Sequence, residues 1–368
     1  MITIIDEARL QIAKRAFSVR NVPLSSLRTV DDRTRRPRPG DIVLARVIEI
    51  GRLQGLQAPS GRKQSLYPDD EVILVYGHRY APDAYEADCP ADLRLCDLGA
   101  AGGLAGTIRE TNAKFASDKS PPTLLKPVGL FVDTNDEPLN LAAFPGETAS
   151  PGERAMPVIS VFGASMNAGK TTMAGGIIKG LTAQGLKVGA AKVTGTCSGG
   201  DLFTFEDAGA VKAVDFTDAG LASTYREEID NVIGAAETLL AGLEKAGCDV
   251  AVVEIADGVF QQETAELLRN ERFRALVDHW TFAADSAPSI LTGLNLAQSL
   301  DLEIVAVSGS VTASPLAVRE AAAFVDVPVL SLSALCEGTE PKRWLAPTAP
   351  LAGLATVFSP QAPQALAS

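Results

Sequence analysis

Histidine is nearly missing from this chain: His78 and His279 are the only two in 368 residues. That leaves little material for a histidine-based metal site or a Ser-His-Asp triad. Positive charge is short as well. Lys and Arg number 33 against 45 Asp and Glu, a formal net charge of −12, which argues against a nucleic-acid binder because phosphates need a basic surface. No apolar run reaches the ~20 residues of a membrane-spanning helix. The N-terminal run Met1-Ile-Thr-Ile-Ile-Asp-Glu7 lacks the basic start of a signal peptide. The expectation is a cytoplasmic protein with neither a nucleic-acid nor a membrane partner. Cys89, Cys96, Cys197, Cys248 and Cys336 are scattered without a C-x-x-C pair, as expected of free thiols in a reduced compartment.

What the chain does contain is a small-residue loop between a strand and a helix. Val158-Ile-Ser-Val-Phe162 is β-rich and runs into Gly163-Ala-Ser-Met-Asn-Ala-Gly-Lys-Thr-Thr172. Such a loop turns its backbone N–H groups inward onto phosphate oxygens. Ser165, Met166, Asn167, Ala168, Gly169, Lys170, Thr171 and Thr172 are therefore the expected nucleotide-binding residues. Lys170 supplies a point charge to the β- and γ-phosphates, and the Thr171 hydroxyl belongs in a Mg²⁺ shell. The pattern is Ala164-x-x-x-x-Gly169-Lys170-Thr171, so Ala164 stands where the first glycine is usual and Gly163 comes one residue early. An ordinary strand–turn–helix corner is the competing reading. The Gly-Lys-Thr triplet alone is a weak signal; the strand before it, the helix after it and the β-rich segment that follows favour the phosphate loop.

Before this loop the chain reads as a β-rich domain over residues 1–145 with a leading helix marked by Ile5, Leu10, Ile12, Ala13 and Ala16. Ile42–Ile50, Glu71–Tyr76, Gly103–Arg109 and Val128–Asp133 read as strands, and Pro59–Lys63 reads as a turn. This spacing suggests a small barrel or sandwich. Residues 31–40 read as a charged, solvated connector. Gly99-Ala-Ala-Gly-Gly103 has no helix after it, fails the dinucleotide-loop test and reads as a bend or close backbone approach. Residues 146–157 form a linker and residues 346–368 an Ala/Pro-rich tail.

From 158 to 345 strands and helices alternate. Strands are expected at 158–162, 187–193, 249–255, 280–284, 303–308 and 327–331, with helices at 170–184, 223–246, 260–269, 288–300 and 314–324. Thr224-x-x-Glu227 has the form of a capping box for the second helix. Apolar strands alternating with helices imply a mainly parallel sheet with its ligands at the strand C-terminal ends.

Those ends carry chemistry. Lys192, Thr194, Thr196 and Asp201 follow the second strand: a lysine and hydroxyls for an anionic substrate, and an acid for Mg²⁺. Glu254 ends the third strand as a candidate metal and catalytic group, with Asp257 just beyond it. Glu254 lies inside an apolar run and needs a buried partner. Cys197 reads as a small thiol of no special reactivity.

Three stretches carry a family resemblance: Ala164–Thr172, Lys192-Val-Thr-Gly-Thr196 and Val253-Glu-Ile-Ala-Asp-Gly258. They are similar to the signatures of dethiobiotin-synthetase-like P-loop NTPases. Asp201 with Phe205-Glu-Asp-Ala-Gly-Ala210 also resembles the molybdopterin-guanine-dinucleotide biosynthesis adaptor. Ile255 and Ala256 replace the glycines of that group, and the β-rich domain has no counterpart in dethiobiotin synthetase. The resemblance implies an α/β fold, a mainly parallel P-loop NTPase domain behind the β-rich one. It also implies an ATP- and Mg²⁺-dependent kinase or ligase acting on a small carboxylate-bearing metabolite, with Lys170, Lys192 and Glu254 as catalytic residues, Lys192, Thr194 and Thr196 on the substrate, and Thr171, Asp201 and Glu254 on the metal. A homodimer is expected on the same ground. The alternative is a nucleotide-hydrolysing switch acting on a protein partner.

Overall fold

The computed structural model describes residues 1–33, 35–116, 121–152 and 154–346. The tail expected at 346–368 therefore lies outside the described residues, except for Ala346.

The N-terminal half closes into a barrel. Leu124–Val132 pairs antiparallel with Ile42–Glu49, which pairs antiparallel with Glu71–Tyr76. Leu104–Thr111 then pairs parallel with Glu71–Tyr76 and antiparallel with Cys96–Ala100, which returns to Leu124–Val132. Closure leaves no open edge on this ring. The expected strands fall here because Ile42–Ala45 and Val72–Tyr76 are fully buried apolar runs. Cys96–Ala100 and Tyr85–Asp88 are missed by the sequence because they are short and contain no β-branched residue.

Other expectations change at the chain start. Ile2–Ile4 is a strand paired with Thr29–Asp31, not part of a helix. The helix is only Glu7–Ile12, capped by Asp6, whose carboxylate accepts the Arg9 N–H at 2.7 Å. Ile12 is exposed, so its apparent helical phase is accidental.

Nor is the 31–40 run a free connector. Asp31 is fully buried, and its carboxylate accepts Arg33 Nε and Arg35 Nε, each at 2.8 Å. The Arg33 hydrogen bond, helped by Arg35, holds the Asp31 carboxyl down at about 2. A carboxyl depressed in the fold gives its full stabilisation above the ordinary value of 3.8, and loses it as pH falls through about 2. Asp31→Asn is thus expected to cost about 1–2 kcal/mol at pH 7. In urea unfolding, the gap between wild type and variant should shrink as pH drops from 4 to 2. A gap constant with pH would contradict the assignment.

The second half is a six-stranded parallel sheet. Its order is Lys212–Asp215, Val188–Lys192, Val250–Glu254, Val158–Gly163, His279–Ala283, Ile304–Ser308. Every pairing is parallel. Val158–Gly163 stands in the middle, where the order reverses, so the loop after it opens at the switch point where ligands bind. The helix Lys170–Ala183 buries Met173, Ile177, Ile178 and Leu181 on one face of the sheet. On the other face Ile229–Lys245 buries Val232, Ile233, Ala236, Leu239 and Leu243.

Two expected elements differ, and two others were not expected. The long second helix begins at Ile229, not 223, because Arg226 takes a left-handed φ of 59°. Thr224 caps nothing there; its hydroxyl accepts the Gly195 N–H at 2.9 Å instead. Residues 327–331 form no strand. They make one bridge, Val307 to Val329, beside Pro328, which has no N–H to continue a ladder. Last, Gly200–Ala208 is a helix, bordered by Gly199 and Gly209, and Lys212–Asp215 is a strand of only four residues.

The barrel and the sheet are joined by buried contacts. Arg20 Nη2 donates to Asp218 at 2.6 Å and to Asp215 at 3.0 Å, and Asn21 donates to Asp218 at 2.8 Å. Phe203 packs edge-on against Phe17, ring centroids 6.1 Å apart. Residues of the linker are pinned too: the Ala155 and Met156 N–H groups donate to Glu244 at 2.7 and 3.1 Å.

Candidate functional site

The loop after Val158–Gly163 explains its own departures from the usual motif. At Gly163 an added Cβ would sit 2.7 Å from the Ala283 carbonyl and 3.0 Å from Lys170 Cγ. Glycine is needed there for close packing. Ala164 donates its N–H to the same Ala283 carbonyl at 3.0 Å and keeps a negative φ, so a side chain fits. Gly169 has φ 91° and starts the helix Lys170–Ala183, whose first N–H groups face the loop. The Lys170 stem is buried, and its ammonium donates to the Ser165 carbonyl at 2.7 Å. Burial lowers its pKa against the pull of Glu254 and Asp257.

Opposite the loop the strand ends bring four of the sequence candidates together. The Thr171 hydroxyl lies 3.2 Å from both Asp201 Oδ1 and Glu254 Oε1. Lys192 is ion-paired with Asp201. The register puts Lys192 directly beside Glu254 on adjacent strands. Burial works against the Lys192 charge, but Asp201 and Glu254 outweigh it and hold its pKa above the ordinary value. Burial pushes Glu254 up to about 7, aided by Asp201 and opposed by Lys192, Lys170 and the Thr171 hydrogen bond. Its Oε2 is buried with no hydrogen-bond partner. Asp257, also pushed up to about 6 by burial, occupies a left-handed φ of 65°, a strained position for a residue with a side chain.

These atoms fit Mg²⁺. A threonine hydroxyl and two carboxylates converge, one with an unsatisfied buried oxygen, and such an atom costs free energy until something partners it. Among the described residues no three His, Cys, Asp or Glu side chains form a cage. Mg²⁺ does not require one, since it keeps waters and phosphate oxygens alongside one or two carboxylates.

A cavity of about 480 Å³ opens in front of this cluster. Lys170, Thr171, Lys192, Thr196, Asp201 and Glu254 line it from the sheet side. Its other wall belongs to the barrel: Arg79, Tyr80, Asp83 and the 100–102 backbone. From the sequence the barrel-like domain is expected to form part of a substrate pocket or an oligomer contact, but none of these residues is marked as a site residue. The wall's one signal was the Gly99–Gly103 cluster, where an added Cβ at Gly102 would lie 2.1 Å from the Cys197 carbonyl. Only glycine lets the two loops meet.

Thr194 is a correction. Its buried hydroxyl accepts the Ala256 N–H at 2.7 Å, tying two strand ends together, and it does not line the cavity. Cys197 is fully buried, with its thiol pushed up to about 12 by burial. A second cavity, of about 350 Å³, lies beside Gly169 and Thr172 and is walled by Gly309, Ser310, Thr312 and Leu332.

No family model matches the chain, and neither does any curated protein. Solved structures that match include the signal recognition particle receptor FtsY from Elizabethkingia anophelis, at 14% identity and TM-score 0.32 over 55% of this chain and 63% of that one. Another is the signal recognition particle 54 kDa protein from Aeropyrum pernix K1 in complex with GDP, at 20% identity and TM-score 0.36 over 54% and 47%. A third is FtsY from Mycoplasma mycoides, at 11% identity and TM-score 0.35 over 53% and 70%. The chain spans less than two thirds of the first two. These are not dethiobiotin-synthetase-like proteins, and likeness at this level bears on no particular activity. The sheet order, the central loop and its lysine and threonine define the architecture by themselves. The fold is that of a P-loop NTPase. Among the described residues no helix is long and apolar enough to cross a membrane.

Proposed function

We propose that this chain hydrolyses a Mg²⁺-bound nucleoside triphosphate and that the nucleotide state sets how the barrel sits against the sheet domain. One observation carries the reading. Asp201, a candidate Mg²⁺ ligand, lies in the first turn of Gly200–Ala208, and Phe203 of the same turn packs on the barrel. The Phe203 ring occupies the space above Gly61, where an added Cβ would be 2.4 Å away. Anything that moves Asp201 moves that contact.

Thr171, Asp201 and Glu254 would hold Mg²⁺, which neutralises charge on the phosphate oxygens. Lys170 leaves its Ser165 carbonyl contact to meet the β- and γ-phosphates. Lys192 keeps a second positive charge beside the reacting group, and the barrel wall excludes bulk water from it. ATP and GTP both fit the triphosphate chemistry, and both belong in the assay.

Hydrogen exchange on the nucleotide-free, Mg²⁺·ADP and Mg²⁺·imidotriphosphate states tests the coupling. Exchange at 55–65 and 200–208 is expected to differ between diphosphate and triphosphate states. Equal exchange in both, alongside measurable hydrolysis, would remove the switch reading.

A second reading is transfer of the γ-phosphoryl group to a small carboxylate-bearing metabolite, with ATP as donor. The part of the cavity of about 480 Å³ that is walled by Arg79, Tyr80 and Asp83 favours it, because bare hydrolysis needs room only for the phosphates, Mg²⁺ and water. ADP release stimulated by a small-molecule fraction, rather than a protein fraction, would select this reading.

A further inference from the structure

The charges that line the cleft are not equally matched. Lys192 has Asp201 and Glu254, and Lys170 has two carbonyls and the nearby Glu254, Asp257 and Asp201 carboxylates. Arg79 is different. Among the described residues no carboxylate comes within ion-pair distance of its guanidinium. Nη1 donates to the Gly99 carbonyl, and Nε is buried with no partner. The group lies 5.8 Å from the Tyr85 ring centre. Burial lowers its pKa, with Asp83, Cys197 and Tyr85 opposing that shift more weakly. An arginine so placed carries an uncompensated desolvation cost.

Its position is firmly set. The backbone N–H of Arg79 donates to the Ala87 carbonyl at 2.9 Å, and the Ala87 N–H returns the bond at 3.0 Å. Beside it the Gly99–Gly103 turn comes up to the cleft, and the N–H groups of Ala101 and Gly102 have no acceptor among the described residues. Leu53 and Ala81 add apolar surface to the same wall. A guanidinium whose Nη2 has no partner among the described residues, backbone donors and an apolar flank together match a carboxylate on a short carbon chain. Nothing on this wall belongs to the phosphate loop, which already supplies Lys170 and its own N–H groups to the triphosphate.

We propose that Arg79, with the Ala101–Gly102 backbone, forms a carboxylate-recognition subsite on the barrel wall of the cleft, where it holds a small anionic metabolite beside the γ-phosphate. The subsite goes beyond the hydrolysis reading: it serves an effector of the switch as well as a phosphoryl acceptor.

The full chain is titrated with succinate, acetate, inorganic phosphate and, at matched ionic strength, sodium chloride. Thermal shift and calorimetry are read with and without Mg²⁺·ADP. Saturable succinate binding is expected, at least ten-fold weaker in Arg79→Met and weakened less in Arg79→Lys. Mg²⁺·ADP binding is measured alongside as the check that each variant is folded. The titration without nucleotide separates failure of this subsite from failure of the phosphate-loop reading. The proposal falls if chloride reproduces the succinate shift, if no carboxylate acts on wild type, or if Arg79→Met binds succinate as wild type does. It falls equally if Arg79→Met binds phosphate and succinate normally but loses ten-fold in affinity for the imidotriphosphate relative to ADP. That result would put Arg79 on the γ-phosphate.

Discussion

Lys170→Ala is expected to lower nucleoside triphosphate turnover by roughly 10³-fold, the scale of removing one preorganised charge donor from a phosphoryl-transfer site. Binding of the triphosphate should weaken by about ten-fold or more, because the lysine is the loop's one full positive charge. The fold should survive. Among the described residues the ammonium hydrogen-bonds the Ser165 and Met166 carbonyls, at 2.7 and 3.4 Å, and those oxygens lie beside the cavity. Steady-state ADP release and nucleotide titration, with ATP and with GTP, check both parts. Turnover within three-fold of wild type for whichever nucleotide is hydrolysed would take the chemistry away from this loop.

Lys192→Met should have the largest effect on stability. The side chain is buried and ion-paired to Asp201, with Glu254 in register on the next strand. Removing one partner of a buried charge cluster leaves the others unpaired, at about 3 kcal/mol or more. Urea unfolding at pH 8 without Mg²⁺ should show that loss, and saturating Mg²⁺·ADP should narrow it, since a bound cation would take over the role of counter-charge. Turnover should fall at least 100-fold, while ADP affinity changes by only a few-fold, because Lys192 faces the cleft and not the diphosphate. A loss of ADP binding as great as in Lys170→Ala would show that Lys192 binds nucleotide instead.

Much of the sheet domain was legible because its signals are local. Runs such as Val250–Glu254 are fully buried on both faces, so the apolar pattern alone marks them. The Gly-Lys-Thr run announces a phosphate loop without reference to anything distant. Glu254 was legible as a carboxylate in an apolar strand that needs a partner. The structure supplies Lys192 from the adjacent strand and the Thr171 hydroxyl from the loop helix. Helix starts were less legible. Thr224 and Glu227 match a capping box in spacing, but the threonine hydroxyl has a nonlocal use at Gly195. Thr194 was misread for a similar reason, since a hydroxyl at a strand end serves a ligand or a neighbouring strand equally well.

Taken alone, the sequence marked a phosphate-type loop, named the residues proposed to meet a phosphate, and placed a β-rich region ahead of a parallel sheet. These follow from short-range rules: period, small residues at a turn, and residue types at fixed spacing. Only the tertiary structure decided that the barrel forms the second wall of the cleft. It also decided that Arg79 faces Lys192 from more than 100 residues away in the chain, and that Gly102 is a contact point with Cys197. Those facts depend on how the barrel core and the sheet core meet. That fit is set by side chains remote in sequence, such as Arg20 with Asp218 and Phe17 with Phe203, and no local pattern encodes it.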